Sequence, residues 1–129
     1  MASDWALVSC EAQYFALQAV NGALEVIEQA NEYYNDNLEF LGVVMNIADM
    51  RTVHSREAYT QLAEAFGDKV FDTVIRASIA YAESAESGRS ILDHRPDLGR
   101  DYLELAAEVL TRTGLTGWRR KLTPLLTAA

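Results

Sequence analysis

The stretch 38–46, Leu-Glu-Phe-Leu-Gly-Val-Val-Met-Asn, is apolar at almost every position and has the length of a strand. A strand that alternates apolar and polar residues hides one face. One that is apolar throughout hides both, as a parallel strand in an α/β layer must. Two more runs have strand length: 5–9, Trp-Ala-Leu-Val-Ser, and 70–75, Val-Phe-Asp-Thr-Val-Ile. Segments with helical spacing separate them. From 13 to 35, Leu17, Val20, Leu24, Ile27 and Ala30 recur every three or four positions. Glu25, Glu28 and Glu32 fall largely off that stripe and read as a solvated face. Asn35-Asp36-Asn37 supplies a stop. Residues 54–66 repeat the pattern with Tyr59, Leu62, Ala63 and Phe66 inward, and Gly67 ends it.

Parallel strands need crossovers of helical length. The order strand, helix, strand, helix, strand therefore predicts a small parallel sheet with right-handed connections. A short helix near 79–87 follows. Pro96 then opens a helix over 98–112, with Tyr102, Leu103, Leu105, Ala106, Val109 and Leu110 inward. The tail carries Trp118, Leu122, Leu125 and Leu126 and reads as a last amphipathic turn or two, or as a loose end. The fold class is α/β, a partial doubly wound sheet of about three strands with flanking helices. The division is an α/β region over 1–113 and a basic amphipathic or flexible tail over 114–129. Most doubly wound sheets have more strands, and nothing in the element order covers the outer edge of the first. An open apolar edge invites association. The chain reads as part of a larger fold or as a subunit completed by another chain.

Acids outnumber bases 19 to 11, for a net charge of −8. Residues 1–114 hold eight of the bases and all the acids, or −11, and the tail holds +3. That balance excludes a uniformly basic nucleic-acid face and leaves room for a local one. Cys10 stands alone, so there is no disulfide framework, and it reads as a small buried hydrophobe. His54 and His94 lie far apart without metal-ligand spacing, so no metal is expected. Ser55, His94 and Asp93 lack the glycines of a nucleophile elbow. No run approaches a membrane span, and the first residues do not read as a signal peptide. The expectation is a cytoplasmic protein without a membrane partner.

Five blocks together resemble one known family. They are Ser3-Asp4-Trp5-Ala6-Leu7-Val8-Ser9 with Glu11-Ala12-Gln13-Tyr14-Phe15-Ala16-Leu17; Leu41-Gly42-Val43-Val44-Met45-Asn46-Ile47-Ala48-Asp49-Met50-Arg51-Thr52; 66–75; 81–88 with Ile91 and Asp93; and 101–109. In order and spacing they are similar to the C-terminal half of the ParA-type partition ATPases, deviant-Walker P-loop proteins of the MinD/ParA group. The resemblance implies a role in chromosome or plasmid segregation, in which relatives act as ATP-bound dimers on nucleoid DNA. It also implies ATP and Mg²⁺ in full-length relatives. The P-loop itself has no counterpart: the only lysines are Lys69 and Lys121, and neither follows a glycine. This chain alone is not expected to hydrolyse ATP or to hold a cofactor.

The resemblance places Asn46, Asp49 and Arg76 on a vestigial nucleotide-base side, at the strand ends where α/β sheets bind ligands. The residues themselves leave turn capping open for Asn46 and Asp49, and a solvated charge for Arg76. Relatives read Ile-Pro-Arg where this chain has Ile75-Arg76-Ala77. Arg51 matches a position of sequence-independent DNA contact, but a second such position is Ala80 here. The expected partners are a second copy or a P-loop-containing chain, with weak nonspecific DNA contact. The rival reading is a non-enzymatic homo-oligomeric scaffold or regulatory subunit that associates through the open sheet edge.

Overall fold

The computed structural model describes residues 3–13 and 15–128. Tyr14 of the first block therefore lies outside the described residues. Three strands, β1 (Trp5–Glu11), β2 (Glu39–Ala48) and β3 (Val70–Arg76), form one parallel sheet in the order β1-β2-β3. Helix α1 (Ala16–Tyr33) carries the chain from β1 to β2. Helix α2 (Val53–Phe66) and a 3₁₀ turn (Gly67–Lys69) carry it from β2 to β3. The strand order does not reverse, so both crossover helices lie on one face. There Val20 and Leu62 pack with Val8, Cys10, Val43 and Met45. Burial pushes the Cys10 thiol above its ordinary range.

The second face is covered by the segment after β3. This comprises α3 (Ala80–Ser87), α4 (Ile91–His94) and α5 (Pro96–Arg112). Leu41, Val44, Phe71 and Ile75 form its core with Tyr81 of α3 and Leu105 and Val109 of α5. Fully burying a side chain such as Phe71 contributes about 2–3 kcal/mol. Residues 41–45 of β2 are buried one after another, which is what an unbroken apolar run requires. A last helix, α6 (Arg119–Ala128), packs on α5.

Local chemistry sets the element ends. The Thr52 hydroxyl accepts from the Ser55 N–H at 3.2 Å and caps α2. Gly67 ends α2 at φ 57°. Pro96 occupies the first turn of α5, where its missing N–H costs nothing. Gly42 answers a tighter demand. A β-bulge sets Ala6 opposite Phe40 but Leu7 opposite Gly42. A Cβ at Gly42 would lie 2.3 Å from the Lys69 carbonyl oxygen and 2.9 Å from the Phe71 ring. No side chain fits there.

Some boundaries differ from the sequence reading. Helix α1 begins at Ala16, because the Gln13 N–H turns back to the Glu11 carbonyl at 2.8 Å. Strand β2 runs on to Ala48. The four-residue α4, capped by Ser90, was not expected. Tyr102 is not inward: it is 45% exposed and meets Tyr81 edge-on, with ring centroids 5.9 Å apart. Asp101 takes the buried position beside it.

The two outer strands end differently. Along β3, the Glu108 carboxylate accepts from the backbone N–H groups of Asp72 and Thr73 at 2.9 and 2.8 Å. Asp101 accepts from the Arg76 N–H at 3.1 Å. Arg112 donates to the carbonyls of Asp68 and Val70 and pairs with Glu108. Side chains of α5 thus take up backbone groups of β3. On β1, among the described residues, no element pairs with the outer edge. Trp5 and Leu7, on the face opposite Val8 and Cys10, are 39% and 38% exposed.

Candidate ligand cleft at the strand ends

The carboxyl ends of β2 and β3 are tied together by the Ala77 N–H, which donates to the Ala48 carbonyl at 2.9 Å. Beyond them opens a cleft of about 610 Å³, lined by Asp49, Arg51, Arg76, Ser78, Arg95 and Asp97 among others. Asp49 heads a tight turn. Its carbonyl accepts from the Thr52 N–H and hydroxyl at 2.9 and 2.7 Å, and its own N–H donates to the Ser55 hydroxyl at 3.3 Å.

Three arginines border this cleft, and each is matched to a carboxylate. Arg51 donates to Asp49 from its backbone N–H and from two guanidinium nitrogens, the latter both at 2.9 Å. Those side-chain and backbone hydrogen bonds hold the Asp49 carboxyl down at about 2. Arg76 donates to the Asp101 carboxylate at 3.0 and 3.3 Å and also reaches the Asp97 carbonyl. Its guanidinium is held further toward the charged form, first by the Asp101 hydrogen bond. Arg95 grips Asp97 with two bonds, at 2.9 and 2.8 Å, and lowers that carboxyl. The wall is polar but electrically balanced. Such a wall suits a ligand that hydrogen-bonds without carrying charge, and it offers phosphate little.

Asn46 is not in this cleft. It lines an adjoining pocket of about 370 Å³ with Ile47, Tyr81 and Tyr102, and Arg76, Ala77 and Ser78 border both spaces. Among the described residues, its side-chain amide makes no hydrogen bond. Ile47 has φ 52°, a left-handed conformation that a β-branched residue adopts only at a cost of about 1–3 kcal/mol. The strained residue projects outward, 54% exposed, where the β2–β3 register breaks. Of the sequence-derived residues, then, Asp49, Arg51 and Arg76 meet in one cleft and Asn46 stands beside it. The sequence reading missed Asp101, Arg95 and Asp97. Asp101 carried a signal, since it falls on the same stripe of α5 as Leu98, Leu105 and Val109. Among the described residues, no group of His, Cys, Asp and Glu side chains forms a metal site.

The comparison with known proteins bears directly on this fold. No family model matches the chain. Against individual proteins, it is 34% identical over 113 residues to the chromosome-partitioning ATPase Soj of Thermus thermophilus. Over this stretch the chain is homologous to the ParA/Soj partition ATPases. The Thermus match covers 86% of this chain and 45% of the relative. The chromosome partitioning protein ParA of Caulobacter vibrioides is 32% identical over 113 residues, 86% of this chain and 42% of the relative. The sporulation initiation inhibitor protein Soj of Bacillus subtilis is 29% identical over 110 residues, 84% of this chain and 44% of the relative. The chain spans less than half the length of these ParA/Soj relatives. The three parallel strands and their flanking helices accord with part of a ParA-like P-loop fold. Among the described residues, no helix is long and apolar enough to cross a membrane.

Proposed function

We propose that this chain is a partition-related module that has no ATP-hydrolysing P-loop of its own. It joins, across β1, a P-loop-bearing segment supplied from outside residues 1–129. The observation that carries the reading is the β1 edge. Among the described residues it is unpaired, and its Trp5–Leu7 face is half-open in a chain that matches under half of an ATPase. A parallel strand that offers free backbone groups and an uncovered apolar face gains both hydrogen bonds and burial from a neighbouring strand.

In that assembly the balanced cleft forms the base side of a nucleotide site. Asp49 and Arg76 border it, and Asn46 offers an amide that can both donate and accept. Phosphates and Mg²⁺ fall to the P-loop-bearing segment, since none of the glycines here precedes a lysine. The second reading, a homo-oligomeric scaffold, draws on the same open edge, with a second copy as occupant.

Sedimentation and calorimetry test both readings. The chain is expected to associate, either with itself or with a P-loop-bearing partner, and Leu7→Lys with Trp5→Lys is expected to release it. Titration of the chain alone with Mg-ATP is expected to show no binding. A monodisperse monomer that no partner engages would sink the edge reading. Micromolar, Mg²⁺-dependent ATP binding by the isolated chain would sink the claim that it lacks its own phosphate site.

A further inference from the structure

Helix α6 holds one hydroxyl that the fold leaves idle. A threonine inside a helix can return its hydroxyl to the carbonyl four residues back. Thr60 does so to Arg56 at 2.9 Å, Thr111 to Ala107 at 2.8 Å and Thr127 to Thr123 at 3.1 Å. Thr123 lies within α6 and is exposed. Among the described residues, its own hydroxyl makes no hydrogen bond.

Arg119 and Arg120 stand four and three positions before Thr123, and on a helix those positions border it on one face. That face is not the packed one: Trp118, Leu122 and Leu126 are half-buried, and α6 packs on α5. Residues 119–121 are the only adjacent cations in the sequence, and among the described residues none of the three has a carboxylate partner. Arg56 and Arg89 also lack one, but each stands alone, and Lys69 gives its ammonium to the Phe40 carbonyl at 3.2 Å. Pro124 follows Thr123 directly and lies inside α6, so it offers no N–H to the Arg120 carbonyl. A residue before proline is also biased away from the helical conformation toward an extended one. Position 123 is therefore a point where α6 opens readily. An extended, exposed hydroxyl is the form in which a protein kinase takes its substrate.

We propose that Thr123 is a phosphorylation site and that Arg119 and Arg120 take up its phosphate. The modifying partner is a Ser/Thr protein kinase that reads an arginine three positions before the acceptor and a proline directly after it, as Arg120 and Pro124 stand here. In its active site the Thr123 Oγ forms a bond to the γ-phosphorus of ATP. The bond from that phosphorus to the bridging oxygen breaks, ADP leaves, and the hydroxyl proton passes to a carboxylate of the kinase. The new group carries a charge of about −1.5 to −2 and three strong acceptor oxygens. Before modification, the like charges of the first turn repel one another and oppose the helix. Afterwards the phosphate offsets them and accepts charge-assisted hydrogen bonds from two guanidinium groups. Phosphorylation thus closes the weak point at Pro124 and tightens α6 on α5. The site is independent of whether β1 acquires a neighbour.

Mass spectrometry of the full chain after incubation with such a kinase and Mg-ATP tests the modification. One phosphoryl group is expected, on Thr123, absent in Thr123→Ala and present in Thr123→Ser. Arg119→Gln with Arg120→Gln is expected to slow the transfer at least about tenfold, because hydrogen bonds to charged groups are the strong ones. A chain carrying phosphothreonine at position 123 tests the uptake by ³¹P titration. The second ionisation of its phosphate is expected below the ordinary value of about 6, and back at that value in Arg119→Gln with Arg120→Gln. Far-UV circular dichroism is expected to show more helix after modification than before. The proposal is overturned if Thr123 stays unmodified, or if Thr116 or Thr127 accepts the phosphoryl group instead. It is equally overturned if the titration is the same with and without the two arginines, or if helix content does not rise.

Discussion

The two outer strands of this sheet face the same physical problem and answer it in opposite ways. A strand at the margin leaves a row of backbone donors and acceptors without partners. At β3 the problem is solved inside the chain: Glu108, Asp101 and Arg112 of α5 take up backbone groups along the strand. At β1 it is left unsolved, and the adjoining face keeps Trp5 and Leu7 about two-fifths exposed. The difference teaches that exposure of an edge is a property of the helices around it. Both strands are short and apolar, and only one has a helix whose polar side chains reach its margin.

The largest expected effect of breaking that contrast lies at Glu108. Its removal in Glu108→Ala strands two backbone N–H groups and leaves Arg112 without its carboxylate. The expected cost is about 2–3 kcal/mol in urea unfolding. An unchanged midpoint would mean that water replaces the carboxylate at no loss.

A smaller effect follows from acid. Burial pushes the Glu108 carboxyl up, but hydrogen bonds from Thr73 and Asp72, with that from Arg112, outweigh it and hold the group below its ordinary 4.5. A carboxyl depressed by folding stabilises above its unfolded value and ceases to do so as pH falls through its folded value. The stability gap between the native chain and Glu108→Gln is therefore expected to be full above about pH 4.5. It should close progressively below that. A gap that stays constant through the acid range would assign the stabilisation to shape rather than charge.

The smallest effect belongs to β1. Leu7 is 38% exposed, so Leu7→Lys gives up only the packing of its covered part, and the unfolding free energy of the unassociated chain is expected to move by about 1 kcal/mol, less than at Glu108. A loss as large as that at Glu108 would show that the β1 margin is already integrated into this chain's core.

How much of this was readable in advance depends on the range of the interaction. The strands were legible because unbroken apolar runs report burial on both faces, and β2 is buried from Leu41 through Met45. The crossover helices were legible from stripes such as Val20 with Ala30, which are indeed buried. The sealing of β3 was not, because Glu108 reads as an ordinary helical acid until α5 is known to run beside that strand. Asp101 displaced Tyr102 from the buried side for the same reason, since a backbone N–H waited there to be satisfied. The Asp49–Arg51 lock depends on a turn that brings positions two apart into bidentate contact, and helical or strand periodicity says nothing about such a turn.

The α5 seal also fixes a stoichiometry. A sheet unit open on both sides can add neighbours without limit, and fibres are the outcome. This one is a terminus: whatever joins at β1, addition stops at β3. A complex assembled across β1 as proposed would therefore be finite, with this chain at its margin and one strand-donating neighbour for each copy.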